Sequence, residues 1–293
     1  MATDLVWVPK ATAIAREAGA RLREFLAAGV ETEYKGDVDL VTVADRTSER
    51  LIKERMSAAF PGHGIYGEEG TRERLESEFR WYVDPLDGTT NFAHGVPHFC
   101  VSLGLEQRPA GLKPEEDGVL VAAVVFDPNL GEMFTAERGR GAYLNGKPIK
   151  VSRTPELAEA LVATGFPSHK RHLNPNIHFY QEFTLRSHGV RRAGSAALDL
   201  AYVACGRYDA FWEFNLNPWD TAAGLLLIEE AGGRSTDFSG GPYRLESREN
   251  LASNGLIHEE LLGFFKDMFA GRDLTPIPTP HEFAERRAAR AEG

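Results

Sequence analysis

Cysteine is scarce: Cys100 and Cys205 are the only two in 293 residues. Each lies in an apolar stretch, HFCVSL and AYVACG, and neither belongs to a CxxC pair. Two cysteines cannot staple a chain of this length, so free thiols in a reducing compartment are expected. Long apolar runs are also missing. Val119–Phe126 and Leu225–Ile228 are among the longest, far short of the roughly 20 residues that span a bilayer. The opening MATDLVWVPK has no basic stretch followed by an apolar one, so it does not read as a signal peptide. Together these absences predict a cytoplasmic protein that makes no membrane contact. Basic charge is in deficit too, with 33 Lys and Arg against 43 Asp and Glu and a formal net charge of −10. Non-specific nucleic-acid binding needs clustered cations and is not expected here. An acidic chain can still bind phosphate if a metal ion or a local dipole reverses the field at the site.

What is present is ordinary globular composition, with 42% hydrophobic and 26% charged residues, ample for a large core. Apolar residues at helical spacing (Ile14, Ala18, Leu22, Phe25, Leu26) predict a helix over Asp4–Ala28, and Leu51, Ile52 and Met56 another over Ala44–Phe60. Phe79–Val83 reads as a strand running straight into Asp84. Residues 98–136 read as strand-rich, and Asn145-Gly146 is a strong hairpin signal between Ala142–Leu144 and Pro148–Val151. A polar stretch at Ser152–Pro155 suggests the boundary between an N-terminal half, 1–152, and a C-terminal half, 153–271. In the second half strand and helix alternate: Leu161–Thr164, Pro175–Arg186, Ala196–Cys205, Ala210–Glu213 and Thr221–Ala231. Such alternation implies helices layered on sheets. The segment 272–293 reads as a mobile tail or a short exposed helix.

The densest chemical signal is Asp84-Pro85-Leu86-Asp87-Gly88-Thr89-Thr90-Asn91-Phe92. Asp, Pro and Gly are common turn formers, so a plain turn is the competing reading. Two acids three residues apart, at the end of an apolar strand, can face one point in the crevice where open α/β sheets bind ligands. Their repulsion is costly unless a cation joins them, and Mg²⁺ binds through a few carboxylates, waters and phosphate oxygens. Gly88 and Thr89 offer backbone N–H groups to an anion if a helix starts there. Three further acidic features stand apart in the chain: Glu68-Glu69 after Gly67, Asp220 in NPWDT, and Lys35 with Asp37, Asp39 and Asp45. Taken singly, the first reads as solvated surface, Asp220 as a helix N-cap, and the last as a polar loop entering a helix.

In combination, KGDVDLVTVAD, GEE, DPLDGTTNF, GSAALDLAYVACGRYDAFWE and NPWDTAAGLLLIEEAGG, in that order, resemble the inositol monophosphatase family from Lys35 to Gly233. The resemblance implies a layered α/β/α/β/α sandwich of the sugar-phosphatase type. It implies a lithium-sensitive, homodimeric phosphomonoesterase using two to three Mg²⁺ ions, which hydrolyses inositol monophosphate or a similar polyol or sugar phosphate by direct attack of a metal-activated water. The matching metal ligands are Glu68, Asp84, the Leu86 carbonyl, Asp87 and Asp220. Glu68 and Thr89 match the pair that orients the water, and Asp45 the acid bonded to that threonine. Gly88 and Thr89 match phosphate-binding amides, while Gly194, Ser195, Ala196 and Glu213 match contacts to the alcohol, beside Asp87 and Asp220. Ser195 stands where the family often has Thr, Asn217-Pro218 replaces other polar residues, and Arg108–Gly118 is long for a family hairpin. Other readings are a phosphatase for histidinol phosphate, fructose bisphosphate or 3′-phosphoadenosine nucleotides, a regulatory protein of the RNA machinery on the same fold, or a structural metal-binding module.

Overall fold

The computed structural model describes residues 7–29, 32–34, 40–113, 116–166, 175–272 and 275–283. In chain order the first half contains α1 (Trp7–Ala28), β1 (Thr32–Tyr34), β2 (Leu40–Thr42), α2 (Val43–Ala59), β3 (Gly64–Gly67) and β4 (Arg72–Glu73). There follow β5 (Phe79–Asp87), α3 (Thr89–Ala93), β6 (Cys100–Gln107), β7 (Val119–Asp127), β8 (Glu132–Glu137), β9 (Gly141–Leu144) and β10 (Lys147–Ile149). The second half contains β11 (Leu161–Thr164), α4 (Asn176–Arg186), β12 (Gly189–Arg191), α5 (Ala196–Ala204) and β13 (Ala210–Phe214). It closes with α6 (Pro218–Ala231), β14 (Arg234–Thr236), β15 (Glu249–Ser253) and α7 (His258–Phe269). Sequence periodicity did not register β12, β14, β15 or α7; the strands are short and α7 follows β15 after only a brief turn.

Besides the β1–β2 pair, the described strands form two sheets, in the orders β10-β9-β8-β7-β6-β5-β3-β4 and β12-β11-β13-β15-β14. The first is an antiparallel meander from β5 to β10, with β3 parallel to β5. Its period-two alternation sorts side chains between two cores. Ala122, Val124 and Phe126 pack with Ala11, Ile14 and Leu22 of α1 and Ile52 of α2, whereas Ala123 and Val125 join Leu200 of α5 and Leu227 of α6. In the second sheet Phe211 faces that same middle layer, while Trp212 meets Phe183 of α4 and Phe265 of α7. The layers are therefore α1/α2, sheet, α5/α6, sheet, α4/α7: an α/β/α/β/α sandwich.

The middle layer explains its own sequence. A helix between two sheets has no solvated face and reads as apolar all round, as AALDLAYVA and PWDTAAGLLLIEEA do. Close approach needs glycine at two places. A Cβ on Gly104 would lie 2.7 Å from the Ala222 Cβ, and one on Gly224 would lie 2.5 Å from the Leu200 Cβ. One expectation changes. Asp84–Asp87 is not a tight turn after a strand: β5 continues through it, and the pairing with β6 shifts register between Asp84 and Asp87. The sheet around β5 is mixed, with antiparallel β6 on one side and parallel β3 on the other.

Candidate active site

The register shift interrupts the β5–β6 ladder at the end of β5, so that backbone and acids there turn to other partners. The Leu86 N–H donates to Asp84 Oδ1 at 2.9 Å, and Ser48 Oγ of α2 donates to the Pro85 carbonyl at 3.0 Å. Gly88 then adopts φ 99°, a left-handed conformation open mainly to glycine, and forms the N-cap of the five-residue α3. At the first position of α3, Thr89 Oγ1 lies 3.1 Å from Asp45 Oδ1 of α2 and 3.1 Å from the Leu86 carbonyl. Asp45 is buried. Lys35, Asp37 and Asp39 lie outside the described residues.

Asp87 reaches across to the second half. Its Oδ2 accepts from Ser195 Oγ at 2.6 Å and from the Ala197 N–H at 2.7 Å, with the Ala196 amide beside it. A carboxylate at the first turn of α5 satisfies amides that the helix leaves unpaired. Asn91 ties the same junction by donating to the His98 carbonyl at 2.8 Å and to the Ala193 carbonyl at 2.9 Å. Gly194 passes so close that a Cβ there would lie 3.1 Å from Asn91 Nδ2, and its φ is +90°.

Asp220 sits in the first turn of α6, but not at the N-cap. Asn217 is the N-cap, and its N–H donates to Asp220 Oδ2 at 2.7 Å. The N-cap expected of Asp220 thus shifts by three residues, and its role becomes the N3 partner of a capping box. Glu68 is half-buried just beyond β3, with its N–H on the Val83 carbonyl at 3.1 Å. Glu213 is buried on β13 and fills the space beside Gly165.

These acids act on one another. Burial, and then the charges of Glu68, Asp87 and Asp220, hold the Asp84 carboxyl well above the usual carboxylate range. Burial raises Asp87 as well, opposed by the Ser195 hydroxyl and the Ala197 amide. Asp220 is pushed up to about 7 by burial and the charge of Asp87. Asp87 and Asp220 lie deep in the protein's mass although each keeps part of its surface open. Glu213 is raised by burial and by Asp220 and Asp87. Like charges gathered in this way are stabilised by a cation, and their donors are all oxygens, which suits a hard ion such as Mg²⁺. Among the described residues no three His, Cys, Asp or Glu side chains already close around one point as a metal cage. Mg²⁺ does not need such a cage, because it keeps waters and takes phosphate oxygens as ligands.

Three residues at this site had no role assigned from sequence: Asn91, Glu49 and Asp199. Asn91 lies inside the DPLDGTTNF motif, where its junction role shows only once Ala193 is beside it. Glu49 stands four residues after Asp45, a spacing that puts both on one helix face. Asp199 is a lone charge in an apolar helix, buried, and raised by that burial and by Glu213 and Asp87.

Alternating helix and sheet layers, with acids from β5, α6 and the β3–β4 loop acting on one another, define a sandwich of the sugar-phosphatase type. The model of the inositol monophosphatase family matches residues 6–267. An inositol-1-monophosphatase of Rhizobium meliloti is 45% identical over 238 residues, covering 79% of this chain and 85% of that protein. The Nus factor SuhB of Pseudomonas aeruginosa is 45% identical over 239 residues, covering 80% and 85%. The crystal structure of the extragenic suppressor protein suhB from Bartonella henselae superposes with a TM-score of 0.81 at 39% identity, covering 88% of this chain and 98% of that one. The chain belongs to the inositol monophosphatase family, and its activity is that of a phosphatase.

Proposed function

We propose that this enzyme hydrolyses the phosphate monoester of inositol, or of a closely similar polyol or sugar, with Mg²⁺ as cofactor. The observation that carries the proposal is the buried Asp84 at the irregular end of β5, held well above the usual carboxylate range by burial and by the charges of Glu68, Asp87 and Asp220. These four side chains, with the Leu86 carbonyl, would hold two to three Mg²⁺ ions. Bound there, the ions supply positive charge that offsets the phosphate and acidifies a water. The remaining work falls to groups of the chain. Thr89 Oγ1 has one proton to give; placed on Asp45 Oδ1, it leaves the oxygen lone pairs to accept from a water. Glu68 accepts that water's other proton, so the pair fixes the direction of attack. The amides of Gly88 and Thr89 bind phosphate oxygens. Glu213, with the Gly194–Ala196 segment, contacts hydroxyls of the alcohol, and burial of its carboxyl favours a tightly hydrogen-bonded partner there.

Family resemblance extends the proposal to lithium sensitivity, a homodimer and a cytoplasmic setting. No helix among the described residues is long and apolar enough to cross a membrane. The test is a phosphate-release screen over inositol, sugar and nucleotide monophosphates, with Mg²⁺ and with excess EDTA. Turnover of inositol monophosphate is expected only with the metal, and full turnover in EDTA would refute the mechanism. The 45% identity to a protein named as a Nus factor favours a second reading, in which the same chain also serves the RNA machinery. Salt-sensitive RNA binding at physiological ionic strength would support it, against a net charge of −10.

A further inference from the structure

Glu49 lies on α2 one helical turn beyond Asp45 and is 5% exposed. Its carboxylate faces only donors. Oε2 accepts from the Glu69 N–H at 2.6 Å, and Oε1 from the Thr71 N–H at 2.9 Å and Thr71 Oγ1 at 2.7 Å. All three donors belong to the loop between β3 and β4 that carries Glu68. Gly67 admits the carboxylate, for a Cβ there would lie 2.5 Å from Glu49 Oε2. The other side of the loop is held independently. The Gly67 N–H donates to the Thr71 carbonyl at 2.9 Å, and the Arg72 guanidinium lies 3.9 Å from the centre of the Tyr66 ring. The backbone of Glu68 is thus bracketed, its own N–H on Val83 of β5 and the next N–H on Glu49.

We infer that Glu49 is a positioning residue that sets Glu68 for metal binding and water orientation, an inference resting on the proposed function above. Asp45 and Glu49 occupy one face of α2, and Ser48 between them holds the Pro85 carbonyl. Asp45 holds Thr89 while Glu49 holds the loop of Glu68, so one helix fixes both members of the water-orienting pair. A rigid helix is a better ruler for such a pair than the loop itself. Three donors on two oxygens require an acceptor-only side chain. Glutamine has the same shape but turns an NH₂ toward either the Glu69 amide or Thr71, which breaks at least one bond and sets donor against donor.

The experiment is Glu49→Gln in the full chain. Mg²⁺ affinity is measured by calorimetry without substrate, beside metal-free melting curves and phosphate release against Mg²⁺ concentration. Loss of a group that orients a metal ligand costs about 10- to 100-fold in metal affinity. Glu49→Gln is expected to weaken Mg²⁺ binding at least tenfold, while the KM for substrate at saturating Mg²⁺ moves less than about twofold. Thr71→Val, which removes only the hydroxyl donor, should weaken binding by about threefold. Mg²⁺ affinity of Glu49→Gln equal to wild type overturns the inference, as does a lowered melting temperature with affinity unchanged in the folded fraction. Should Glu49→Gln fail to fold, Thr71→Val decides, and unchanged affinity in that variant is equally fatal. A wild-type protein that binds no Mg²⁺ and works in EDTA instead refutes the proposed function, a distinct result.

Discussion

Strand β5 carries a buried polar cluster at each end, and the two are built in opposite ways. At its start Arg80 donates from Nε to Glu106 Oε2 at 3.0 Å, and the Tyr82 hydroxyl donates to the same oxygen at 3.1 Å. Arg108 adds a 3.4 Å contact to Glu106 and donates to the carbonyls of Glu116 at 2.8 Å and Lys113 at 2.6 Å, while the Gly118 N–H closes on Glu106. Glu106 is wholly buried and meets only donors. At the other end of the strand, four residues past Arg80 and so about 13 Å on at the usual rise, Asp84 is 2% exposed and the charges pressing on it are all acids. The first cluster is complete within the chain and secures the long segment after β6. The second leaves like charges facing one another, a cost that a ligand from outside can relieve. Buried charge by itself therefore marks no active site; buried charge that the protein leaves uncompensated does.

The comparison can be broken most forcefully at the complete cluster. Removing one partner of a buried pair strands the others and costs about 3–5 kcal/mol. Glu106→Ala should lower unfolding free energy in urea by that amount and leave the Mg²⁺ affinity of the folded protein intact. At the incomplete cluster the sign reverses. Asp220→Asn keeps an oxygen for the Asn217 N–H but removes a charge from the proposed metal site. It should reduce kcat/KM by on the order of 10²-fold, about 2.7 kcal/mol, with the metal-free melting temperature unchanged or higher. Normal kinetics in that variant would return Asp220 to a helix-capping role alone.

Titration separates the clusters more finely. Asp220 holds its proton in the fold up to about pH 7, whereas an unfolded aspartate has lost it by about pH 4. The folded metal-free chain then binds more protons, so its stability falls as pH rises from about 4 to about 7. Melting curves in EDTA should drop over that window, and Mg²⁺ should restore them at pH 8. His258 supplies the opposite sign away from the site. It is fully buried between Thr236 Oγ1 at 2.9 Å and Ser253 Oγ at 2.8 Å, and burial pushes it down to about 4. The unfolded chain binds that proton below about 6.5, so this part of stability is lost as pH falls from about 6.5 to about 4. Its size is about 3 kcal/mol, read as the difference in acid stability between wild type and His258→Gln. A smaller effect is expected from Glu213→Gln. It should shift the ratio of inositol phosphate to aryl phosphate turnover by about tenfold, the value of one lost substrate hydrogen bond. Equal losses on both substrates would remove Glu213 from alcohol recognition.

Local signals in the chain carried much of this. Helical spacing located α1 and α2 within a few residues, Asn145-Gly146 located a hairpin, and DPLDGTTNF pointed to the acids at the end of β5, because each depends on neighbours a few positions away. Periodicity also showed α6 to be apolar, though not that two sheets enclose it. Nothing near Arg80, Glu106 and Arg108 in sequence reveals that they share one buried volume.

From sequence alone, the acids at Glu68, Asp84, Asp87 and Asp220 and their family could be read, since motif chemistry is written in short segments. What only the tertiary structure decided is how those segments meet. Asp87 finds Ser195 and Ala197 more than a hundred residues away, Asp45 finds Thr89, and Glu49 finds the loop of Glu68. The register slip in β5 lies in its pairing with β6, and Asp220 becomes an N3 partner because Asn217 takes the cap. Such contacts depend on packing across layers, and a chain's local pattern does not encode the distance between layers.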